Sequence, residues 1–495
     1  MKKILIVTCR FDEDRNGGSR PWRMPQAMAP AFVAGEFNPK LCDVRLYSEL
    51  YSGPLVDRDL LGWPDMLVLS GLQVDFDRFL HLTAYARTLN PNVVVVAGGS
   101  LIEVLPVFSR QFFDYCCTGP VEEIREVIRD VFGADHVSET SDPRYDLAYW
   151  NKTFGLVESS RYCNFHCSFC TMSIKREPYT NFDPEQVRRQ ILRTKRKRVF
   201  FLDNNFYGNN IHQFERKLEM LKEMKQRGEL SSWSAELTAD FFSRERNLKL
   251  ARESGCTALF CGVESFDAGS LSSFDKRQNL TDQIEMIRRC LNAGILFIYG
   301  IILDPTRRTI RSLRDEFEFV LNNDEIPLPG YFTLPIPLLG TPMFFEYLHD
   351  DEILPRTRIR DLDGTTLTLR PLESFESFVD FWPSVLRWQD RKIQLIARTY
   401  RFARRYLRDL DMVSHFVNLG STATQLLPRY RNKKRTFIST TECLDPLYKP
   451  ALRVAAKYQS YFEPIYLTDD AGRLNPQLEE VLNYAPSTAR TVVGA

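Results

Sequence analysis

The sequence predicts an α/β protein with more than one domain. Short apolar runs rich in Val, Ile and Leu alternate with longer stretches whose apolar residues recur at helical spacing. These runs end in glycine or polar residues, as parallel strands do where a site is built at their carboxyl ends. A chain of 495 residues also exceeds what one hydrophobic core accommodates.

Residues 1–140 predict an open, doubly wound, Rossmann-like sheet. "KKILIVTC" is a buried strand, followed by "PDMLVLSGL" (64–72), "NVVVVAGGS" (92–100) and "FDYCCTGP" (113–120), with the helical "FDRFLHLTAYARTL" between the second and third. Strand ends in such a sheet form a cofactor crevice. Gly98 and Gly99 let the backbone approach a ligand closely or simply make a turn, and the residues alone leave the two readings equal. Residues 141–152, within the polar, Pro-containing "GADHVSETSDPRYDLAYW" (133–150), predict a linker.

Residues 153–354 predict a partial (β/α)6 barrel. Its strands are "LVESSRYC" (156–163), "RVFFLDNNFYGN" (198–209), "SSWSAELTADFF" (231–242), "CTALFCGVESF" (256–266), "ILFIYGIILD" (295–304) and "GYFTLPIPLLGTP" (330–342). Asp203, Asn204, Asn205, Glu236, Glu264 and Asp304 fall at strand ends, where catalytic groups belong. Residues 355–495 predict a mostly helical region capping the substrate site. Ile393, Ile396, Tyr400, Ala403 and Leu407 share one helical stripe with Arg between them. Such a stripe lies on an anionic membrane or packs on its own protein, and packing is the expectation here. "RYRNKKR" (429–435) reads as a solvated loop, since no aromatic platform accompanies it.

Lys and Arg number 65 against 64 acidic residues, which argues against a nucleic-acid partner. No run of some eighteen apolar residues predicts a membrane span, and "MKKILIVTCRFDED" breaks its apolar stretch too early for a signal peptide. A cytoplasmic location follows as the expectation. The eleven cysteines then predict no disulfide framework.

One cysteine group calls for chemistry. "RYCNFHCSFCTM" (161–172) places Cys163, Cys167 and Cys170 within eight residues. A zinc site using His166 would need adjacent side chains to converge, and compact zinc sites draw their ligands from separated pairs. Buried structural cysteines fit poorly beside Asn164, His166 and Ser168. Three thiolates holding a 4Fe-4S cluster would leave one iron open to an outside ligand.

This Cys-x-x-x-Cys-x-x-Cys spacing, with Phe169 before the last cysteine, resembles the radical S-adenosylmethionine (SAM) enzymes. The resemblance implies that SAM chelates the open iron and is cleaved to a 5'-deoxyadenosyl radical. "FLDNNF", "LARESGCTALFCGVESFD", "KRQN" (276–279), "GIILD" and "PLLGTP" resemble later landmarks of the same enzymes over roughly residues 150–355. By that likeness Phe169, Asp203, Asn204, Glu236, Glu264 and Asp304 are expected around SAM, with Glu264 near its ribose or amino group.

The first 140 residues resemble the cobalamin-binding domain that precedes the barrel in many such enzymes. "VVVVAGGS", its spacing to "DYCCTGPVEEI" and the fusion order carry this likeness. Gly71, Gly98, Gly99, Ser100 and Gly119 are the cobalamin-binding residues it implies. Gly-Gly-Ser-Leu replaces the usual Gly-Gly-Pro-His, and no Asp-x-His-x-x-Gly supplies a histidine below cobalt. The function implied is methylation of an unactivated carbon in a small molecule or natural product, by way of methylcobalamin and with a flavodoxin or ferredoxin as reductant. A cyclase or ring-rearranging oxidoreductase, such as one forming a tetrapyrrole ring, is the alternative. A cobalamin- or SAM-sensing module is a second.

Overall fold

The computed structural model describes residues 1–11, 27–175, 177–273, 283–386, 391–425, 438 and 448–485. "KRQN" and "RYRNKKR" lie outside the described residues. The chain divides into two compact units, Met1–Asn151 with Ile336–Leu369 and Asn432–Ala495, and Lys152–Pro335 with Arg370–Arg431.

The first unit is built on five parallel strands: β1 (Lys2–Thr8), β2 (Cys42–Ser48), β3 (Met66–Gly71), β4 (Val94–Gly99) and β5 (Tyr115–Cys117). Their order is β2-β1-β3-β4-β5, the Rossmann-like arrangement predicted. Ile4 to Val7 are fully buried, as expected of a parallel strand covered on both faces. Helix α1 (Phe76–Leu89) is buried from Phe76 to Ala86. Its outer side is covered by the end of the chain: Tyr448 donates to Asp77 Oδ2 at 2.8 Å, Ala451 N to Tyr85 Oη at 2.8 Å, and the Phe462 ring stacks on His81 at 4.4 Å.

In the C-terminal region α-helices occupy the stretch up to Gln425, and the described residues beyond it are wound more irregularly. Pro450, Pro464 and Pro476 interrupt residues 448–485, which carry two 3-10 segments, Ala456–Phe462 and Pro476–Tyr484. The stretch expected as a linker also lies along the first unit, with Ser138 N bonded to Glu36 O at 2.7 Å and Arg144 N to Ala31 O at 2.9 Å.

The second unit carries β6 (Gly155–Val157), β7 (Ser160–Arg161), β8 (Thr180–Asn181), β9 (Arg198–Phe201), β10 (Ser232–Leu237), β11 (Cys256–Cys261), β12 (Leu296–Ile298), β13 (Gly300–Ile302) and β14 (Tyr331–Thr333). Five of them form a parallel sheet in the order β12-β11-β10-β9-β6. Helices α2 (Pro184–Thr194), α3 (Ile211–Gln226), α4 (Glu245–Glu253), α5 (Gln283–Asn292) and α6 (Ile310–Asn322) alternate with the strands. Asp183 and Asn210 cap α2 and α3 through their side chains.

The strand predicted over 295–304 is interrupted at Tyr299. Its first half pairs with β11 and its second half with β14, and a bridge between Glu264 and Ile301 links the two sheets. The strand predicted over 330–342 shrinks to Tyr331–Thr333. Residues 336–369 belong to the first unit, where Gln73 and Leu339 exchange hydrogen bonds of 3.0 and 3.2 Å.

Three further helices follow in the second unit, one over Phe375–Leu386 and then α7 (Lys392–Arg405) and α8 (Met412–Gln425). Ile393, Ile396, Tyr400 and Leu407, expected to pack inward, are exposed. Arg398, Thr399 and Phe402 point inward instead.

Gly99 has φ 127°, and a Cβ there would strike the Gly71 carbonyl oxygen. Gly99→Ala is therefore expected to destabilise the first unit by about 2 kcal/mol or more. Thermal and urea unfolding check this, and an unchanged profile would show that the ends of β3 and β4 relax freely.

Candidate functional site

The three clustered cysteines lie in a loop, residues 162–179, whose base is the short antiparallel pair β7–β8. The pair follows β6 directly, so the loop leaves the sheet at a carboxyl end. Tyr162 enters it with φ 64°, a left-handed conformation uncommon outside glycine. Within it Cys170 N donates to Cys167 O at 3.1 Å, and Ser173 N to Cys170 O at 2.9 Å. Cys163, Cys167, Cys170 and Phe169 are half-buried, while His166 is exposed. Among the described residues no group of three His, Cys, Asp or Glu side chains is disposed to hold a single metal ion.

Burial first, and then the neighbouring Cys167, Cys163 and Glu264, push the Cys170 thiol up to about 11. Burial likewise raises Cys163, with Cys167 adding to it. The thiols are close enough to resist ionising together. A bound cation would relieve that resistance, because metal ligation deprotonates thiols.

A buried polar network secures the base of the loop. Asp203, fully buried after β9, accepts from Ser159 N at 2.7 Å, from Ser159 Oγ, and from Ser160 Oγ at 2.8 Å. Lys217 on α3 lies 3.8 Å from Asp203 and donates to Ser159 Oγ at 2.8 Å and Phe206 O at 2.9 Å. Burial brings this ammonium down to about 8, against the opposing pull of Asp203. Asn205 reaches into the loop itself, with Nδ2 donating to Asn164 Oδ1 at 2.7 Å, and Tyr179 Oη donates to Asn205 O at 3.0 Å.

The expected SAM contacts therefore separate into groups. Asp203 is turned into the protein and engaged by Ser159 and Ser160, which gives it a structural task in place of a ligand contact. Asn204 is exposed. Asp304 is buried and accepts from Thr306 N at 2.8 Å, closing a turn after β13. Glu264 neighbours Cys170 of the loop, and Glu236 neighbours Asp203. Glu236 lies on the less buried face of β10, opposite Phe260 of β11, whose ring stacks on Tyr331 at 6.2 Å. Burial, then Asp203, pushes Glu236 up to about 7. Burial raises Tyr331 too, with Glu264 and Glu236 contributing. A Cβ at Gly300 would collide with the Tyr331 ring, so that glycine makes room for it.

Glu264 is buried with φ 63°. Its backbone accepts from Ile302 N at 2.7 Å and donates to Gly300 O at 3.3 Å. The following residues are clamped by Glu316 on α6, which accepts from Ser265 Oγ at 2.7 Å and Phe266 N at 2.6 Å and pairs with buried Arg308. The strained turn is thereby held at both ends.

In the first unit, Gly71 and Gly99 are paired across β3 and β4, and a Cβ on Gly71 would lie 2.9 Å from Phe79. Their packing explains them without a ligand. Gly119 N donates to Glu123 Oε2 at 2.5 Å. Gly98 has room for a Cβ in ordinary contact with Cys117, and Ser100 heads the short helix after β4. His81 stacks on Phe462 and is engaged in the core.

Ser159, Ser160, Asn164, Tyr179, Lys217 and Tyr331 were not among the expected site residues. Lys217 left a signal, a lysine on the same helical face as Phe214, Leu218 and Leu221. Core positions rarely accept lysine without a partner.

Residues 157–316 match the family model described as the Radical SAM superfamily. The chain is 26% identical over 371 residues to the hopanoid C-2 methylase of Rhodopseudomonas palustris, covering 69% of this chain and 66% of that protein. It is 26% identical over 180 residues to the hopanoid C-3 methylase of Methylococcus capsulatus, covering 34% of each. With the bacteriochlorophyllide d C-12(1)-methyltransferase of Chlorobaculum tepidum it shares 27% identity over 201 residues, 38% of this chain and 42% of that one. The chain thus covers less than two thirds of each of these relatives. Among solved structures, the cobalamin-dependent radical enzyme OxsB with aqua-cobalamin and SAM bound aligns with TM-score 0.51 at 18% identity, over 66% of this chain and 53% of that one. The radical SAM methyltransferase TsrM of Kitasatospora setae, with cobalamin and a [4Fe-4S] cluster bound, aligns with TM-score 0.56 at 15% identity, over 86% of this chain and 99% of that one. At such identities the structural likeness establishes a shared fold.

Glu236 is protonated in the folded chain and ionised in the unfolded chain between its ordinary 4.5 and about 7. Its contribution to stability is complete below the lower value and is lost as pH rises through the upper one. In metal-free protein, Glu236→Gln is expected to flatten the fall in stability across that window by on the order of 2 kcal/mol. Urea midpoints measured from pH 4.5 to 7.5 check this, and parallel profiles for the two proteins would contradict it.

Proposed function

We propose that this chain, whose residues 157–316 are a radical SAM domain, is a cobalamin-dependent radical SAM enzyme that methylates an unactivated carbon of a small molecule. The observation that carries the reading is the loop at the carboxyl end of β6, where Cys163, Cys167 and Cys170 are free and half-buried within the stretch that matches the Radical SAM superfamily model. This donor set fits a 4Fe-4S cluster held by Cys163, Cys167 and Cys170 with one iron left for SAM. When bound, cluster and SAM supply a radical that takes a hydrogen atom from carbon, and cobalamin supplies the methyl group.

The chain's own residues bind and orient. Asn205 and Tyr179 steady the cysteine loop through Asn164 and the Asn205 backbone. Glu264, held in its left-handed turn by Glu316 and Arg308, faces SAM's amino or ribose end. Glu236, near neutrality in its protonation, can hold or accept a proton beside the same ligand. The stacked rings of Phe260 and Tyr331 form one side of the site beside Glu236. In the first unit, Gly98 and Ser100 at the carboxyl end of β4 would approach cobalamin.

The named relatives act on hopanoids and on a bacteriochlorophyllide, and both favour an apolar polycyclic substrate for this chain. A flavodoxin or ferredoxin in a reducing cytoplasm would supply the single electron.

Anaerobic expression with cobalamin, followed by metal analysis and incubation with SAM and reductant, tests this. Four irons, one cobalamin and release of 5'-deoxyadenosine are expected, all but cobalamin binding being lost in Cys163→Ala, Cys167→Ala or Cys170→Ala. A substrate gaining one methyl group supports methylation, whereas a product of altered ring structure without added methyl would replace it with the cyclase reading. Glu264→Ala is expected to raise the Kd for SAM by about tenfold or more while leaving iron content unchanged. Equal SAM affinity would remove Glu264 from the site.

A further inference from the structure

Helix α8 buries polar side chains and exposes apolar ones, and α7 buries Arg398 and Thr399 beside Leu395 and Phe402 while an apolar stripe on its other side stays exposed. On α8 the inward residues are Ser414, His415, Asn418 and Thr422, and the outward ones are Met412, Val413, Phe416, Val417 and Leu419. Thr399 and Thr422 share a 2.9 Å hydrogen bond between the helices. Arg398 Nη2 donates to Asn323 O at 2.7 Å, and Tyr406 Oη to Glu325 O at 2.6 Å, so the pair is anchored to the end of α6 through its polar side. On α7 the outward stripe holds Ile393, 86% exposed, with Ile396, Tyr400 and Leu407 beyond it. Hydrophobic burial alone would turn α8 the other way round, and it leaves the second apolar stripe of α7 without a partner among the described residues.

Charge indicates what meets this face. Residues 391–423 contain seven basic and two acidic residues, in a chain that is otherwise nearly balanced. Arg391, Arg401 and Arg405 pair with Glu318 and Asp324. Lys392, Arg404 and Arg408 are exposed and make no ion pair among the described residues. A second copy docked symmetrically would set like charges against one another. The chain segment 426–447 is itself rich in Arg and Lys, and would do the same. An uncharged apolar face bordered by unpaired cations matches an anionic lipid surface.

We propose that α7 and α8 form an interfacial docking surface for an anionic bilayer. Met412, Phe416 and Val417, with Ile393 and Ile396, enter the acyl boundary while Lys392, Arg404 and Arg408 meet headgroup phosphates. The helices lie on the membrane, since among the described residues no helix is long and apolar enough to cross one. The surface is independent of the reaction assigned above.

The full-length protein should co-sediment with vesicles of phosphatidylcholine mixed with phosphatidylglycerol, remain largely in the supernatant with phosphatidylcholine alone, and be released by salt. Paired Phe416→Ser and Val417→Ser should lower the partition coefficient on the order of tenfold or more. Arg404→Glu and Arg408→Glu should each lower it on the order of fivefold on the anionic vesicles. Circular dichroism and gel filtration establish that these surface variants remain folded. The proposal is overturned by wild-type protein that binds neither vesicle, or by binding indifferent to both sets of variants. It is equally overturned by a dimer that Phe416→Ser dissolves without any vesicle binding, or by binding that appears only when residues 426–447 are removed.

Discussion

The second unit depends on one buried carboxylate. Asp203 follows β9 where the cysteine loop departs from β6, and it has no access to water. A buried carboxyl group in that position must be met by hydrogen-bond donors, and here two serines and a lysine converge on it. The same contacts that satisfy Asp203 fix Ser159 and Ser160, and with them the short ladder from which the loop begins. Lys217 extends the network into α3, so that helix, strand and loop share a single set of hydrogen bonds. Loop geometry is thereby determined by the sheet rather than by the loop's own sequence.

A second constraint acts on the far side of the same site. The chain changes partners at Tyr299, and Glu264 bridges the gap in a conformation that few residues other than glycine adopt. Such strain persists only where the surroundings over-determine it. Glu316 and Arg308 do so by engaging the residues immediately after it. Burial then keeps Glu236, Tyr331 and the cysteine thiols toward their neutral forms. In such a low-dielectric region, one added positive charge redistributes protons over several groups at once.

The first unit is held by different means. Its strands β1, β3 and β4 are buried and largely apolar, the close approach of β4 to β3 requires glycine at Gly99, and Gly71 leaves room for Phe79. Helix α1 receives the final described stretch of the chain across its outer side, with Tyr448 satisfying the buried Asp77 and Phe462 lying flat on His81. The first and last described stretches of the chain therefore belong to one unit, and residues 157–316, which match the Radical SAM superfamily model, lie between them in sequence.

Alternating apolar runs determined the parallel sheets, because burial on both faces leaves an unmistakable run of Val, Ile and Leu in any strand that experiences it. The spacing of Cys163, Cys167 and Cys170 located the candidate site, since groups within one loop are read directly from sequence separation. Tertiary structure decided the rest. Asp203 and Glu264 both follow strands and look alike in sequence, yet one is consumed by Ser159 and Ser160 while the other faces the loop, a difference set by partners distant along the chain. The second half of the predicted sixth strand went to the first unit by pairing Leu339 with Gln73, a contact across 266 residues that no local pattern encodes. Periodicity identified the stripe on α7 but not its direction, because amphipathicity shows that a helix has two faces without stating which one the protein covers. Buried Arg398, anchored by backbone carbonyls of the second unit, made that choice.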